Sequence, residues 1–223
     1  MRMNPKMKGK ERTDSNYFMS YEKVKQNIFY RVVNYEKNIG TLEGKPFLPF
    51  FDLAVTFYCL IESKEENIYS IHLTNEHLTH IGINIKTLTD WASENTPRLF
   101  PVKINTMEEA LGGIVTGTKD INTSLELSES IYVITNDKGI NGASCLLYQT
   151  AVKYLADQIE ANLYILPSSI HEIIALRDNG NMDKAALRRM VAEVNSTQVT
   201  EEEFLSNNIY FYNREEEKIL EVL

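Results

Sequence analysis

The sequence predicts an α+β protein: a mixed or antiparallel sheet with helices packed on one face, and an N-terminal helix ahead of it. Three observations carry that prediction. Apolar residues recur every three or four positions in some segments and alternate or run unbroken in others, the two signatures of helix and strand. In the C-terminal half these segments follow the order strand, helix, strand, strand, helix, strand, a mixed pattern that fits one sheet. The chain has 223 residues, 43% hydrophobic and 24% charged, which is enough for one generous domain with its own core.

Residues 1–16 carry Arg2, Lys6, Lys8, Lys10 and Arg12 and read as a disordered basic tail. The domain is expected to occupy 17–223. A helix is predicted from Ser20, because Tyr21, Val24, Ile28, Val32 and Tyr35 form one stripe. Gly40 and Gly44 close it. The apolar run from Phe50 to Ile61 favours strand, although its length also suits a buried helix. Ile68 to Leu73 alternates and makes a hairpin with it. Asn75 is placed as the cap of a short helix broken by Gly82. Lys86 to Ser93 forms another, ending ahead of Pro97. Thr106 and Glu109 make a capping box. Residues 112–129, rich in Gly, Thr and Ser, are expected to form a flexible loop or a subdomain boundary.

Ile131 to Thr135 then reads as a strand and Asn136-Asp137-Lys138-Gly139 as a turn. Ala143 to Glu160 reads as one helix, ended by Asn162 in a left-handed conformation. Strands are expected at Leu163–Leu166 and Ile170–Leu176. Asp183 caps a helix with Leu187, Met190, Val191 and Val194 toward the core. Thr200 and Glu203 resemble a second capping box, with Glu201, Glu202 and Glu203 in the first turn of a helix. Ile209–Tyr212 and Lys218–Leu223 form a closing pair of strands.

Charge and cysteine usage narrow the function. The net charge of −8 argues against nucleic acid or an anionic membrane as partner, since both require a positive contact face. Cys59 and Cys145 each sit in an apolar run and read as buried thiols of a reducing compartment. No apolar stretch approaches the roughly 20 residues of a membrane span, and no signal core precedes the first helix. A cytoplasmic protein is expected.

Several runs resemble a bacterial domain-of-unknown-function family, number 5688, found in Gram-positive gut bacteria. They are Tyr30–Asn38, Phe51–Tyr58, Asn75–Leu78, Glu94–Pro101, Asn141–Tyr148 and Leu163–Glu172. The order of elements is also similar to the YtpQ-like proteins, in layout more than in residues. The resemblance implies a further N-terminal region ahead of the Tyr21 helix in family members. It attaches no activity.

Five clusters are candidates for chemistry. Gly139-Ile140-Asn141-Gly142-Ala143-Ser144, with Asn136 before it, lies between a strand and a helix. There backbone N–H groups can meet an anion, or Gly142 can supply an unusual backbone angle while Asn141 or Ser144 caps the helix. Pro167-Ser168-Ser169-Ile170-His171-Glu172 is a polar turn leading into a strand, and Cys145 with His171 is the one thiol pair in that half. His72, His77 and His80 lack the spacing of a zinc site. Asn95 and Arg98 form a candidate anion clamp, or else Asn95 ends a helix while Arg98 pairs with Asp52. The glutamates at 201–203 and 215–217 read as solvated surface.

The ligand-binding candidates are therefore Asn136, Gly139, Asn141, Gly142, Ser144, Ser168, Ser169 and His171, with Asn95 and Arg98 as the clamp. No catalytic residue, metal ligand or cofactor is assigned. The expected function is a non-catalytic binding or regulatory module with a protein or small-molecule partner, set by the resemblance in mobile-element or host-defence biology. The alternative is a small-molecule or anion-binding enzyme whose site lies where the 139–144 and 167–172 turns meet. That placement expects strands 131–135 and 163–166 to be neighbours ending at one edge.

Overall fold

The computed structural model describes residues 21–64, 67–110, 131–148, 150–167 and 169–222. The expected basic tail at 1–16 and the expected loop at 112–129 lie outside the described residues. The chain is α+β, with antiparallel pairing throughout.

Two sheets form where one was expected. The first contains β1 (Ile28–Asn34), β2 (Phe47–Phe50), β3 (Leu53–Lys64) and β4 (Asn67–His72). Strand β3 is the spine: β1 lies along one side, and β2 and β4 share the other. The second sheet has the order β10-β9-β7-β8-β6-β5. Its strands are β5 (Val102–Thr106), β6 (Ile131–Asn136), β7 (Leu163–Leu166), β8 (Ile173–Arg177), β9 (Tyr210–Asn213) and β10 (Lys218–Glu221).

The expected first helix is broken in two by a strand. Helix α1 (Tyr21–Asn27) stops at β1, and α2 (Tyr35–Leu42) begins directly after it. Val24, Ile28 and Val32 are four apart, and a spacing of four keeps one face in a strand as well as in a helix. The intervening Phe29 is also buried, which a one-sided helix would not require. Pairing of all seven β1 residues with β3 decides the outcome.

One core joins the sheets. Ile28, Val32, Leu53 and Phe57 of the first sheet pack with Ile134, Leu163, Ile165 and Tyr210 of the second. The opposite face of the second sheet presents Tyr164, Leu166 and Leu176 to Leu187 and Val191 of α7 (Lys184–Gln198). Met190 and Val194, expected on that face, are 48% and 43% exposed. The stripe that meets the sheet is narrower than the sequence pattern implied.

Other boundaries shift for local reasons. Thr74, not Asn75, caps α3 (Asn75–Ile81), because the His77 side chain completes the box by accepting from Thr74 N–H. Helix α4 (Ile85–Leu99) runs through Pro97, which lies in its last turn where few intrahelical bonds remain to be lost. The Thr106–Glu109 box forms as expected, ahead of α5 (Met107–Ala110). Residues expected as one helix from Ala143 split into a 3-10 helix (Gly142–Leu147) and α6 (Ala151–Gln158). Glu160 rather than Asn162 takes the left-handed conformation. Thr200–Glu203 is a turn, not a helix start.

A polar tie fastens the sheets. Asp52, in the β2–β3 turn, accepts hydrogen bonds of 2.5 Å from both Ser206 and Tyr210 hydroxyls. The Asn34 amide, close by on β1, donates to Leu205 O. The expected pairing of Asp52 with Arg98 does not occur, since Arg98 donates to Gln26 O and to Asn95 Oδ1. Bonds to a carboxylate are worth more than neutral ones, about 1.5–3 kcal/mol each. Asp52→Ala is expected to lower unfolding free energy by about 3 kcal/mol in urea titration, and Asp52→Asn, which keeps an acceptor, by clearly less.

Candidate functional site

Strands β6 and β7 both run antiparallel to β8, so they are parallel to each other with β8 between them. They were expected to be neighbours but are separated by β8, yet their C-terminal ends share one edge of the sheet. The two polar turns meet at that edge.

The first turn is built by Asn136. Its side chain accepts from Lys138 N–H (2.9 Å) and donates to Ile140 O (2.9 Å). Gly139 has φ +65° and Asn141 φ +53°. The left-handed angle expected at Gly142 thus falls on its neighbours. Gly142 is needed for closeness instead: a Cβ there would lie 2.4 Å from His171 O and 2.8 Å from Asn136 N, as well as 2.1 Å from Thr135 Oγ1. Neither Asn141 nor Ser144 acts as the expected helix cap. Asn141 stands at the cap position without a capping side-chain bond, and the Ser144 hydroxyl has no partner among the described residues.

The second turn is docked on the first. Ala143 N–H donates to Ile170 O at 3.1 Å, and Thr135 Oγ1 donates to His171 O at 2.8 Å. Ser169 Oγ accepts from His171 N–H. Ser168 lies outside the described residues. His171 precedes β8 rather than standing within a strand. Its Nδ1 accepts from Asn141 N–H at 3.4 Å, and its Nε2 lies 3.4 Å from Glu203.

Cys145 is turned away from this histidine. Its thiol donates to Thr135 O (3.2 Å) and is fully buried. Burial pushes the thiol up to about 12, and Cys59 up to about 11. The thiolate is the reactive species, and at pH 8 a thiol of that kind is ionised to roughly 10⁻⁴. The geometry therefore makes Cys145 a core residue.

A small cavity opens beside the first turn. Asn136, Asn141 and Ser144 line it together with Arg31, Thr96 and Tyr148. Its enclosed part measures about 10 Å³ within about 230 Å³ of empty space that includes the mouth. Asn136 and Ser144 are both buried. Tyr148 OH donates to Phe100 O at 2.8 Å, which closes one wall.

Arg31, Thr96 and Tyr148 were not among the sequence candidates. Arg31 is the one charge in Ile28-Phe29-Tyr30-Arg31-Val32-Val33, and it lies outside the apolar stripe of the predicted helix. His171, Ser169 and Gly139 do not line the cavity. His171 and Ser169 organise the turn behind it. Asn95 and Arg98 bracket backbone: the Asn95 amide donates to Lys25 O and Ile28 O, and Arg98 holds Gln26 O and Asn95. Their polar atoms serve the joint of α1, β1 and α4.

A model of a family of unknown function, DUF5688, matches residues 1–214. The chain belongs to the DUF5688 family. No curated protein and no solved structure matches it. Among the described residues no group of three metal-ligating side chains is found, and no helix is long and apolar enough to cross a membrane.

Two outcomes check this geometry. Gly142→Ala forces backbone apart and is expected to cost about 3 kcal/mol in urea unfolding, the range of overpacked interiors. Cys59 and Cys145 are expected to react with a disulfide reagent at pH 8 at least 100-fold more slowly in the native protein than in denaturant, and rapid native labelling of Cys145 would overturn the reading of a core thiol.

Proposed function

We propose that this DUF5688 member is a non-catalytic binding module whose ligand enters the cavity between β1 and the 3-10 helix. One observation carries the reading: the buried Ser144 hydroxyl has no partner among the described residues and stands at the wall of a small cavity with mixed polar and apolar lining. An unmet buried hydroxyl costs about 1–3 kcal/mol, so a group able to bond it is bound with a corresponding gain. Asn141 adds a side-chain amide at the same wall.

Binding rather than catalysis follows from how the reactive groups are used. The Cys145 thiol is given to a backbone carbonyl. His171 faces a backbone N–H and Glu203 rather than a nucleophile. General-base catalysis needs a base within reach of the proton it removes, and His171 does not line the cavity. A setting in mobile-element or host-defence biology rests on the family resemblance alone.

Native mass spectrometry of the protein purified under mild conditions from its own host tests the proposal. The expected result is the retained non-covalent mass of a small molecule, one group of which enters the cavity while the rest lies in its open mouth. Ser144→Leu, which fills the cavity with apolar atoms, is expected to abolish retention while leaving the far-ultraviolet circular dichroism unchanged. Equal retention in that variant would overturn the assignment of the cavity.

A further inference from the structure

The proposed cavity says where a ligand binds, and the charges around it indicate what kind. The chain is acidic, with 31 Asp and Glu against 23 Lys and Arg. Yet among the described residues Arg31 forms no ion pair with a carboxylate. A half-buried cation without a counter-ion carries a desolvation cost.

Arg31 is held rigidly. One Nη2 hydrogen goes to Ser70 Oγ at 3.2 Å. The guanidinium lies over Tyr58 at 4.4 Å and over Phe29 at 5.2 Å. Its Nε is buried and has no partner among the described residues. A guanidinium carries five N–H donors, and its planar fork suits a carboxylate or phosphate. The aromatic faces orient it and the Tyr58 hydroxyl also bonds it, which leaves Nε unmet.

Other basic residues stand close by. His72 stacks on the same Tyr58 ring, with centroids 4.4 Å apart, and its Nε2 is also buried without a partner. Burial, then Lys45, then Arg31 pushes the His72 imidazole down to about 4. Arg31, Lys45 and His72 thus form a local cluster of basic residues.

We propose that the cavity is an oxyanion site, taking the carboxylate or phosphate group of a small ligand with Arg31 as its cationic anchor and Ser144 as a hydroxyl donor. The inference rests on the binding reading above and adds the ligand class. The enclosed space admits one oxygen-sized group, so one ligand oxygen sits inside and the remainder of the group occupies the mouth near Asn141.

The test is a titration of ¹⁵N-labelled full-length protein at constant ionic strength with sodium acetate and inorganic phosphate. Sodium chloride and acetamide serve as controls. The expected result is saturable movement of the Arg31 Nε–H signal and of the Ser144 and Asn141 amides by acetate or phosphate. Arg31→Met is expected to weaken that binding at least tenfold, and Ser144→Ala about threefold. Arg31→Lys, which keeps charge but lacks the fork, provides a second variant should Arg31→Met not fold, and is also expected to weaken it. Saturable binding of acetamide at these residues, matching or exceeding that of the anions, would sink the oxyanion inference and leave the cavity standing. Shifts that merely follow chloride also reject it. No response of these residues to any probe, together with no retained mass in the native spectrum, removes both proposals.

Discussion

Among the described residues strand β1 pairs with another strand on one side only, and the architecture depends on how its other edge is closed. Helix α4 closes it with side chains rather than with another strand. Thr96 Oγ1 accepts from Tyr30 N–H at 3.1 Å, and the Asn95 amide donates to Ile28 O at 3.0 Å. Both residues are buried. An open edge invites pairing with another chain, so these bonds do two things at once: they satisfy backbone groups and set where α4 ends. Phe100, the residue that ends α4, then offers its carbonyl to Tyr148 OH. That bond positions the segment linking the 3-10 helix to α6, and with it one cavity wall.

The second constraint is the contact between the sheets. It is mostly apolar, which supplies stability but little orientation. Asp52, Ser206, Tyr210 and Asn34 add directional bonds at one end of it. Burial first, and then the adjoining Asp52 carboxylate, pushes the Tyr210 hydroxyl far above its ordinary range, so it remains a donor at every pH the fold survives. Gly142 acts elsewhere, where the 3-10 helix meets the end of β6 and the His171 turn too closely for any side chain. The cavity lies in the seam between β1 and the 3-10 helix.

Within that seam the polar groups divide clearly. Asn136, Thr135 and His171 are spent on building the turns. The Ser144 hydroxyl and the Nε of Arg31 have no partner among the described residues. Buried polar groups in folded proteins are nearly always bonded, so unmet donors lining one cavity mark a binding surface better than a cluster of satisfied ones. This is why Ser144 and Arg31 carry the functional reading, while Ser169, His171 and Asn95 with Arg98 carry the structure.

Much of this was legible in the residues. Alternation and caps placed β4, β6, β7, β9, β10, α3 and α7, because each is decided by neighbours close in the chain. The polar turn at 136–144 stood out for the same reason, and so did the burial of both cysteines. What failed did so where a distant partner decides. The Val24-Ile28-Val32 stripe suits either periodicity, and only β3 makes β1 a strand. Only Tyr148 reaching Phe100 accompanies the break between the 3-10 helix and α6. Only the insertion of β8 separates β6 from β7 while leaving their ends at one edge. Arg31 was visible as a lone charge, but its surroundings were not. The chain by itself determined the class of the fold and the polar turn that lines the site. Tertiary structure decided which groups stay unsatisfied there, because a hydrogen bond depends on which atoms arrive together from distant parts of the chain, and local sequence does not hold that information.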